Sequence, residues 1–528
     1  MISLLPLAAL FFAAAEATET WSGWGGNNLN NRWASQNTKV NSGSIGSITQ
    51  HCRVDYQFGV SATPVNVGSL VYYPTWNGSF VALNYVTCTV QWQINVTDII
   101  VQFAPLTALQ APHVLLDPVS RTSPQIDGNI LYFGTVTHAL LVAVDRTTGH
   151  VLATKQINSH PVACITQALT LYNGYIFIGS SSREESAVTV TGYQCCSFIG
   201  NFQSLSYNPV LKRFTVNWNI DTLPTSGNWS GASVWGSQPS IDTNRNQVFF
   251  GTGNLYRTAP VWEKCENKSS SCLPPNVHYD SVIAADIATG RINWQTRPTT
   301  MDVFTIACGV PPIFPIIPSL CPNQPGADAN FGMAPSFVPA SVSKLGQDIV
   351  VAGQKNGLLY AFCAEDGSVL WDVLTSPGSP FAGLSWGVAV DNKAAYFTGI
   401  NSLSAPFALQ PSGQIINNSA FGAADLKTGK LLWETQVPES SVAQVPPTVV
   451  GDLVLVGRTG SGADFEDSDG GLVALNKQTG QIVLDLDLDA NFHGGIAVVD
   501  NYIMFGTGYA PFMGYFGGGS FYVMQVQS

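Results

Sequence analysis

An all-β chain of repeated four-stranded units is the fold class this sequence predicts, on three observations. First, only 11% of the 528 residues are charged, aromatics reach 11%, and Gly (50) and Pro (31) are abundant. Disorder needs low hydrophobicity and high charge, and long helices need Ala, Glu, Lys and Leu, so both are excluded. Second, one phrase, A-x-D/N-x-x-T-G-x-x-x-W, recurs along the chain. Third, each copy follows a short apolar stretch such as "LVYYPTW", "ILYFGTV" or "LVLVGRT".

The copies run in order as "ALNYVTCTVQW" (82–92), "AVDRTTGHVLA" (143–153), the looser "SLSYNPVLKRFTVNW" (204–218), "AADIATGRINW" (284–294), "AFCAEDGSVLW" (361–371), "AADLKTGKLLW" (423–433) and "ALNKQTGQIVL" (474–484). Alternating small and apolar residues make a strand. Asp or Asn starts a turn that Thr-Gly completes, with Gly free to take positive φ. The second strand ends in Trp, whose flat ring packs between neighbouring sheets. With the preceding strands, each unit is a four-stranded meander. Seven units are present, and "GGSFYVMQVQ" at the C-terminus looks like an eighth that stops after its alanine-position strand. The N-terminal "WSGWGGNNLNNRWA" (21–34) is expected to supply the strand that closes the ring. An open row of sheets would leave long bare edges, whereas radial repetition gives an eight-bladed β-propeller of four-stranded antiparallel blades. No linker interrupts residues 18–528, which read as a single domain closed by N- and C-terminal strands. Insertions at about 186–200, 255–280 and 300–330 are expected as loops on one face.

Residues 1–17 read as a signal peptide: an apolar run at 3–15 is followed by small residues, although no basic residue precedes it. The expected location is therefore extracellular. No later segment is apolar over the roughly 18 residues a membrane span needs. A net charge of −12 argues against nucleic-acid or anionic-membrane partners. Glycosylation sequons occur at Asn77, Asn95, Asn228, Asn267 and Asn417. Ten cysteines in a secreted chain point to disulfides. Cys265 with Cys272 and Cys308 with Cys321 are candidate local bridges. The adjacent Cys195 and Cys196 are a vicinal pair, partners of distant cysteines (Cys164 is nearest in sequence), or packing.

The repeat resembles the tryptophan-docking motif of quinoprotein alcohol dehydrogenases, eight-bladed propellers that hold pyrroloquinoline quinone (PQQ) and Ca2+ on the ring axis. The likeness is closer to the polyvinyl-alcohol-dehydrogenase-like branch, through "RTSPQI" (121–126), "HPVACIT" (160–166), "GSSSREE" (179–185), "CCSF" (195–198), "SGASVWGSQPSID" (230–242), "GTGN" (251–254), "AGQKNG" (352–357) and "GLSWG" (383–387). The C-x-x-C-H haem module of some relatives is missing from the sequence.

The resemblance implies a set of site residues. A planar tricarboxylate needs flat surfaces and cations or donors, and calcium wants carboxylate and amide oxygens. Trp235 matches the floor on which the quinone stacks, and Ser233 a nearby hydroxyl donor. Glu184 or Glu185 matches the calcium carboxylate, and Asn254 the amide ligand. Lys355 matches the cation at the quinone oxygens. Arg121 and Thr166 match carboxylate contacts more loosely, Trp386 could line the mouth, and His160 reads equally as structural. Cys195 and Cys196 match a vicinal disulfide beside PQQ, although in better-known members that pair precedes the calcium glutamate. The base is where the match fails. The branch reads roughly D-F-D-F-G, whereas this chain has "DANFG", so Asn330 stands at the position matched to the base. An amide cannot accept the alcohol proton. Asp328, two residues away and on the same face of an extended strand, is the candidate substitute.

EF-hand, P-loop, G-x-G-x-x-G and H-E-x-x-H spacings are missing from the sequence. The acidic "DFEDSDGG" (464–471) reads as a solvated loop. Two functions remain: a secreted quinoprotein oxidising small or polymeric alcohols with PQQ and Ca2+ and an unidentified electron acceptor, or a catalytically degenerate propeller that binds a ligand or protein.

Overall fold

The computed structural model describes residues 19–111, 115–260, 273–310, 314–460, 470–509 and 518–527. The proposed leader, Asn267, the Cys265–Cys272 bridge and most of "DFEDSDGG" lie outside them. Eight antiparallel four-stranded sheets form the blades of a propeller. Blade 1 is Val65–Val67, Leu70–Pro74, Ser79–Asn84 and Thr89–Asn95. Blades 2 to 7 repeat that order, from Gln125–Asp127 in blade 2 to Ile482–Asp487 in blade 7. Middle strands, covered on both sides by neighbouring blades, are continuously apolar: Ile349–Gly353 is buried at every position. Outer strands face water on one side and alternate, as in Ile482–Asp487.

The docking phrase acts between blades. The indole N–H of Trp92 donates to the Arg146 carbonyl of the next blade at 2.9 Å. Trp218, Trp294, Trp371 and Trp433 do the same to Ile287, Ala364, Leu426 and Lys477. Each ring also lies on the turn glycine of that next blade, which follows Thr in every case but Gly367, where Asp366 precedes it. A Cβ on Gly149 would stand 2.8 Å from Trp92, one on Gly290 2.7 Å from Trp218, and one on Gly429 2.7 Å from Trp371. The glycine is therefore required twice, for its positive φ and for the tryptophan above it.

The last blade joins both chain ends: Ala497–Val499, Tyr502–Gly506 and Gly519–Gln525 are completed by Thr49–Tyr56. This corrects the expectation for residues 21–34. That stretch cannot run as a strand, because Gly23, Gly26, Asn30 and Arg32 all take positive φ. Only Trp33–Ala34 pairs, in parallel with the inner strand Thr448–Val450 of blade 7. The segment instead plugs the axial channel. Inner-strand N–H groups of Ile241, Phe337, Val390 and Val449, from blades 4 to 7, donate to the carbonyls of Asn28, Leu29, Asn31 and Arg32 at 2.8 to 2.9 Å. The Arg32 guanidinium, 1% exposed, donates to the carbonyls of Trp24, Pro447 and Ile496. Where blade 8 meets blade 1, a disulfide between Cys52 and Cys88 replaces the tryptophan dock. Cys88 occupies the Gly position of the blade 1 turn and takes that position's positive φ of 59°.

Cys308 and Cys321 are also joined, as are the neighbours Cys195 and Cys196, while Cys164 is a buried free thiol. The four described sequon asparagines are exposed. Among the described residues no helix is long and apolar enough to cross a membrane. The meander puts the loops between second and third strands, and those between blades, on one face. The described residues of the insertions at about 186–200, 255–280 and 300–330 fall within these two classes.

Candidate functional site

On that loop face, blades 1 to 6 and 8 send side chains toward the axis. Trp235 lies in the loop that enters blade 4. Its carbonyl accepts from the Thr166 hydroxyl at 2.7 Å. Its ring rests on the backbone of Gly332, where a Cβ would stand 2.7 Å from the indole. Trp386 stands perpendicular to it, 5.9 Å between ring centroids. The Lys355 ammonium sits 5.4 Å from the Trp235 ring, within cation–π range. Arg121 is set among three rings, 5.8 Å from Trp76, 5.5 Å from Trp386 and 5.4 Å from Tyr509. Thr166, Trp235, Trp386 and Arg121 line one cleft, together with Trp24 and Ser61 from the N-terminal side. This surface offers a flat ring, a perpendicular wall and two cations.

Beside it is a concentration of carboxyls. Lys355 Nζ pairs with Asp328 Oδ2 at 2.8 Å, with both side chains nearly enclosed. Asn330 explains why an amide suits its position: its N–H donates to Asp328 Oδ1, while its oxygen accepts the backbone N–H of Asn254 at 2.8 Å. An aspartate there could not donate, and would face Asp328 as a like charge. Asp302 accepts from the backbone N–H groups of Asp328 and Ala329, fixing that turn. Asp280 and Glu185 complete the group. Burial, partly opposed by Lys355, pushes the Asp328 carboxyl well above the usual range. Burial, then Asp302, does the same to Asp280. Burial raises Glu185 against the pull of Lys355. For Lys355, burial favours loss of the proton, but Asp328, Glu185 and Asp302 together outweigh it and the ammonium is held.

The side chains here are of the kind a hard cation takes, although no three of the carboxyls bring oxygens within 4.8 Å of one another. All their donor atoms are oxygens, four carboxyls share one ammonium, and Asp280 Oδ1 is buried without a hydrogen-bond partner. Asn254 donates its amide hydrogens to the Leu255 and Phe304 carbonyls, which turns its amide oxygen the other way.

The two adjacent glutamates separate. Glu185 joins the carboxyl group on the axis. Glu184, fully buried, accepts from the Tyr193 hydroxyl, the Ser197 and Phe198 N–H groups and the Ser230 hydroxyl, so its oxygens are already engaged. Its ligand atoms cluster with the sulfurs of Cys195 and Cys196. His160 stands 3.7 Å from Glu184 and 3.1 Å from the Ser197 hydroxyl. Ser233 is buried behind the floor and bonds Tyr256 at 2.8 Å.

Sequence reasoning missed Asp280, Asp302, Trp76, Tyr509 and His493. A lone acid in the apolar run "TMDVFTI" was the available signal for Asp302. His493 stacks on Tyr509 at 4.5 Å, and burial, reinforced by Arg121, lowers its pKa to about 3.

Comparisons with known proteins bear on the fold and on the kind of relative this chain has. The family model described as outer membrane protein assembly factor BamB matches residues 355–483. A polyvinylalcohol dehydrogenase of Pseudomonas sp is 26% identical over 72% of this chain and 54% of its own length. One from Sphingopyxis sp. (strain 113P3) is 24% identical over 89% of this chain and 67% of its own. This chain thus spans about half to two thirds of those relatives. Among solved structures, a quinohemoprotein alcohol dehydrogenase from Comamonas testosteroni is 14% identical, covering 97% of this chain and 81% of its own, with a TM-score of 0.67. A europium-containing methanol dehydrogenase, also 14% identical, covers 97% and 98% with a TM-score of 0.65; both show the fold. With the repeat and the interleaved phrases, the two curated relatives make this chain similar to polyvinylalcohol dehydrogenases, and its fold is that of the quinoprotein alcohol dehydrogenases.

Proposed function

We propose that the protein is an extracellular quinoprotein that oxidises alcohols, small or polymeric, using PQQ and Ca2+ on the ring axis. The observation that carries this is the meeting of the Trp235 ring, the Lys355 ammonium and the oxygen-only ligand group in one place. PQQ would supply the two-electron acceptor and calcium the Lewis acid. Trp235 and Trp386 would bind and orient a planar ligand, Arg121 and Thr166 would offer donors to its carboxylates, and Glu185 and Asn254 would hold the ion. Lys355 is set to contact the oxygens of the reacting edge. Asp328 is the proton acceptor: its Oδ2 is fixed by Lys355, its Oδ1 by Asn330, and its backbone by Asp302. Asn330 orients that carboxylate without taking the proton. Disulfides support an oxidising compartment, as a leader at 1–17 would require.

The test is to titrate PQQ and Ca2+ into purified protein, follow tryptophan fluorescence, and then supply ethanol, 2-propanol or polyvinyl alcohol with a redox dye. Quenching followed by dye reduction is expected. The committed amide of Asn330 favours a second reading, a propeller that binds the same ligand without turnover. Quenching without dye reduction by any of these alcohols would establish it, and no quenching at all would remove both.

A further inference from the structure

Glu184 holds more than its own loop together. Its Oε1 accepts from the Tyr193 hydroxyl at 2.9 Å and the Ser197 N–H at 2.8 Å. Its Oε2 accepts from Ser197 N–H at 2.9 Å, Phe198 N–H at 2.7 Å and the Ser230 hydroxyl at 2.9 Å. Ser197 and Phe198 directly follow the Cys195–Cys196 disulfide. Ser230 opens the segment that ends at Trp235. The two segments touch again where the Phe198 carbonyl accepts from Gly231 N–H at 2.8 Å. Beyond that, Ala232 N–H donates to the Asn254 carbonyl at 2.7 Å and Val234 N–H to that of Ser180 at 2.9 Å, so Ser230 to Trp235 forms a tightly tied run.

We propose that Glu184 is a positioning residue, whose carboxylate locks the vicinal disulfide loop to the segment carrying Trp235 and so fixes the site for a planar ligand; the ligand half of this rests on the quinone reading above. Only a carboxylate suits the place. Four donors point at two oxygens, and a glutamine would offer one acceptor and turn N–H groups against N–H groups. The same engagement separates the roles of the pair: Glu184 ties loops, while its neighbour Glu185 faces the axial carboxyls.

The experiment uses the full chain without added cofactor. Dithiothreitol reduction of Cys195–Cys196 is followed by alkylation and peptide mapping, with Cys308–Cys321 in the same sample as internal control. In Glu184→Gln, the vicinal disulfide is expected to be reduced about tenfold faster, since a buried donor left unpaired is worth about that factor. The Cys308–Cys321 rate stays unchanged and the Trp235 contribution to tryptophan emission shifts. Ser230→Ala, which removes one donor and keeps the charge, is expected to shift both readouts in the same direction by less, and decides the matter should Glu184→Gln not fold. Glu185→Gln is expected to leave the reduction rate unchanged. Equal rates in wild type and the folded variants, or parallel acceleration of both disulfides, would overturn the proposal. PQQ quenching is then measured: affinity about tenfold weaker in Glu184→Gln completes the case. If the wild type shows no quenching, only the quinone reading fails, and the reduction rates still judge the lock.

Discussion

Adding calcium should expel protons, and the carboxyls on the axis set how many. Glu185, Asp280, Asp302 and Asp328 share one ammonium, Lys355. Burial, and for Asp280 and Asp328 their neighbours, raise three of them. The three raised carboxyls therefore hold their protons to higher pH than an ordinary carboxyl, which loses its own at about 4. Ligation requires the ionised form. Protons should therefore leave as the ion binds, and apparent affinity should rise with pH above the ordinary carboxyl range. The stability signs follow. Groups raised above their unfolded values stabilise the fold below about pH 4, and that contribution is lost as pH rises through their folded values. The metal-free protein should weaken over that range. Calcium at about a hundred times its Kd should restore about 2.7 kcal/mol. Isothermal calorimetry in two buffers of different ionisation enthalpy counts the protons, and thermal unfolding at pH 5 to 8 gives the stability. Calcium binding with no proton release at pH 6, or no effect of calcium on Tm at any of these pH values, would refute the reasoning.

Three further outcomes are expected. Lys355→Met leaves Asp328 buried without its cation and should cost about 3–5 kcal/mol in chemical denaturation at pH 7, much of it recovered in the Lys355→Met/Asp328→Asn double variant. Gly332→Ala places a methyl against the Trp235 indole; PQQ quenching should weaken about tenfold or more while far-UV circular dichroism is unchanged. His493 is held neutral down to about pH 3, whereas an unfolded histidine takes up a proton near 6.5. The wild type should lose up to about 4 kcal/mol between pH 6.5 and 3 that His493→Phe does not lose, read from urea midpoints across that range.

What could be read in the sequence was what the chain specifies locally. An Asp–Thr–Gly turn and a tryptophan ten residues after the alanine are complete signals within one unit, and the blades appear where that phrase placed them. The closing strand has no such signal. "TQHCRVDY" (49–56) is polar and lacks the repeat, and its partner lies at the other end of the chain. "WSGWGGNNLNNRWA" attracted the assignment through its tryptophans, while its glycines and asparagines were building a plug. Trp235, Arg121, Thr166, Trp386, Lys355 and Asp328 could be named from short phrases, and the structure brings them together. Asp280 and Asp302 could not be, because each is a lone acid in an irregular loop that reaches the axis only when the ring shuts. Nor could sequence divide Glu184 from Glu185. The first turn of a four-residue helix decides which of them meets Lys355.

The Cys52–Cys88 bridge bears on how such a ring is assembled as it leaves the ribosome. The strand Thr49–Tyr56 is synthesised among the first, yet its hydrogen-bonding partner Gly519–Gln525 is among the last. Through most of synthesis it would be an orphan with a bare edge, open to mispairing. Cys88 follows Cys52 by only 36 residues, so the bond can form once blade 1 exists. It then moors the early strand to the flank of the first blade, at the berth where the eighth will dock. Vectorial synthesis thereby delivers its final hairpin to a waiting partner, and the circle is completed by arrival rather than by search.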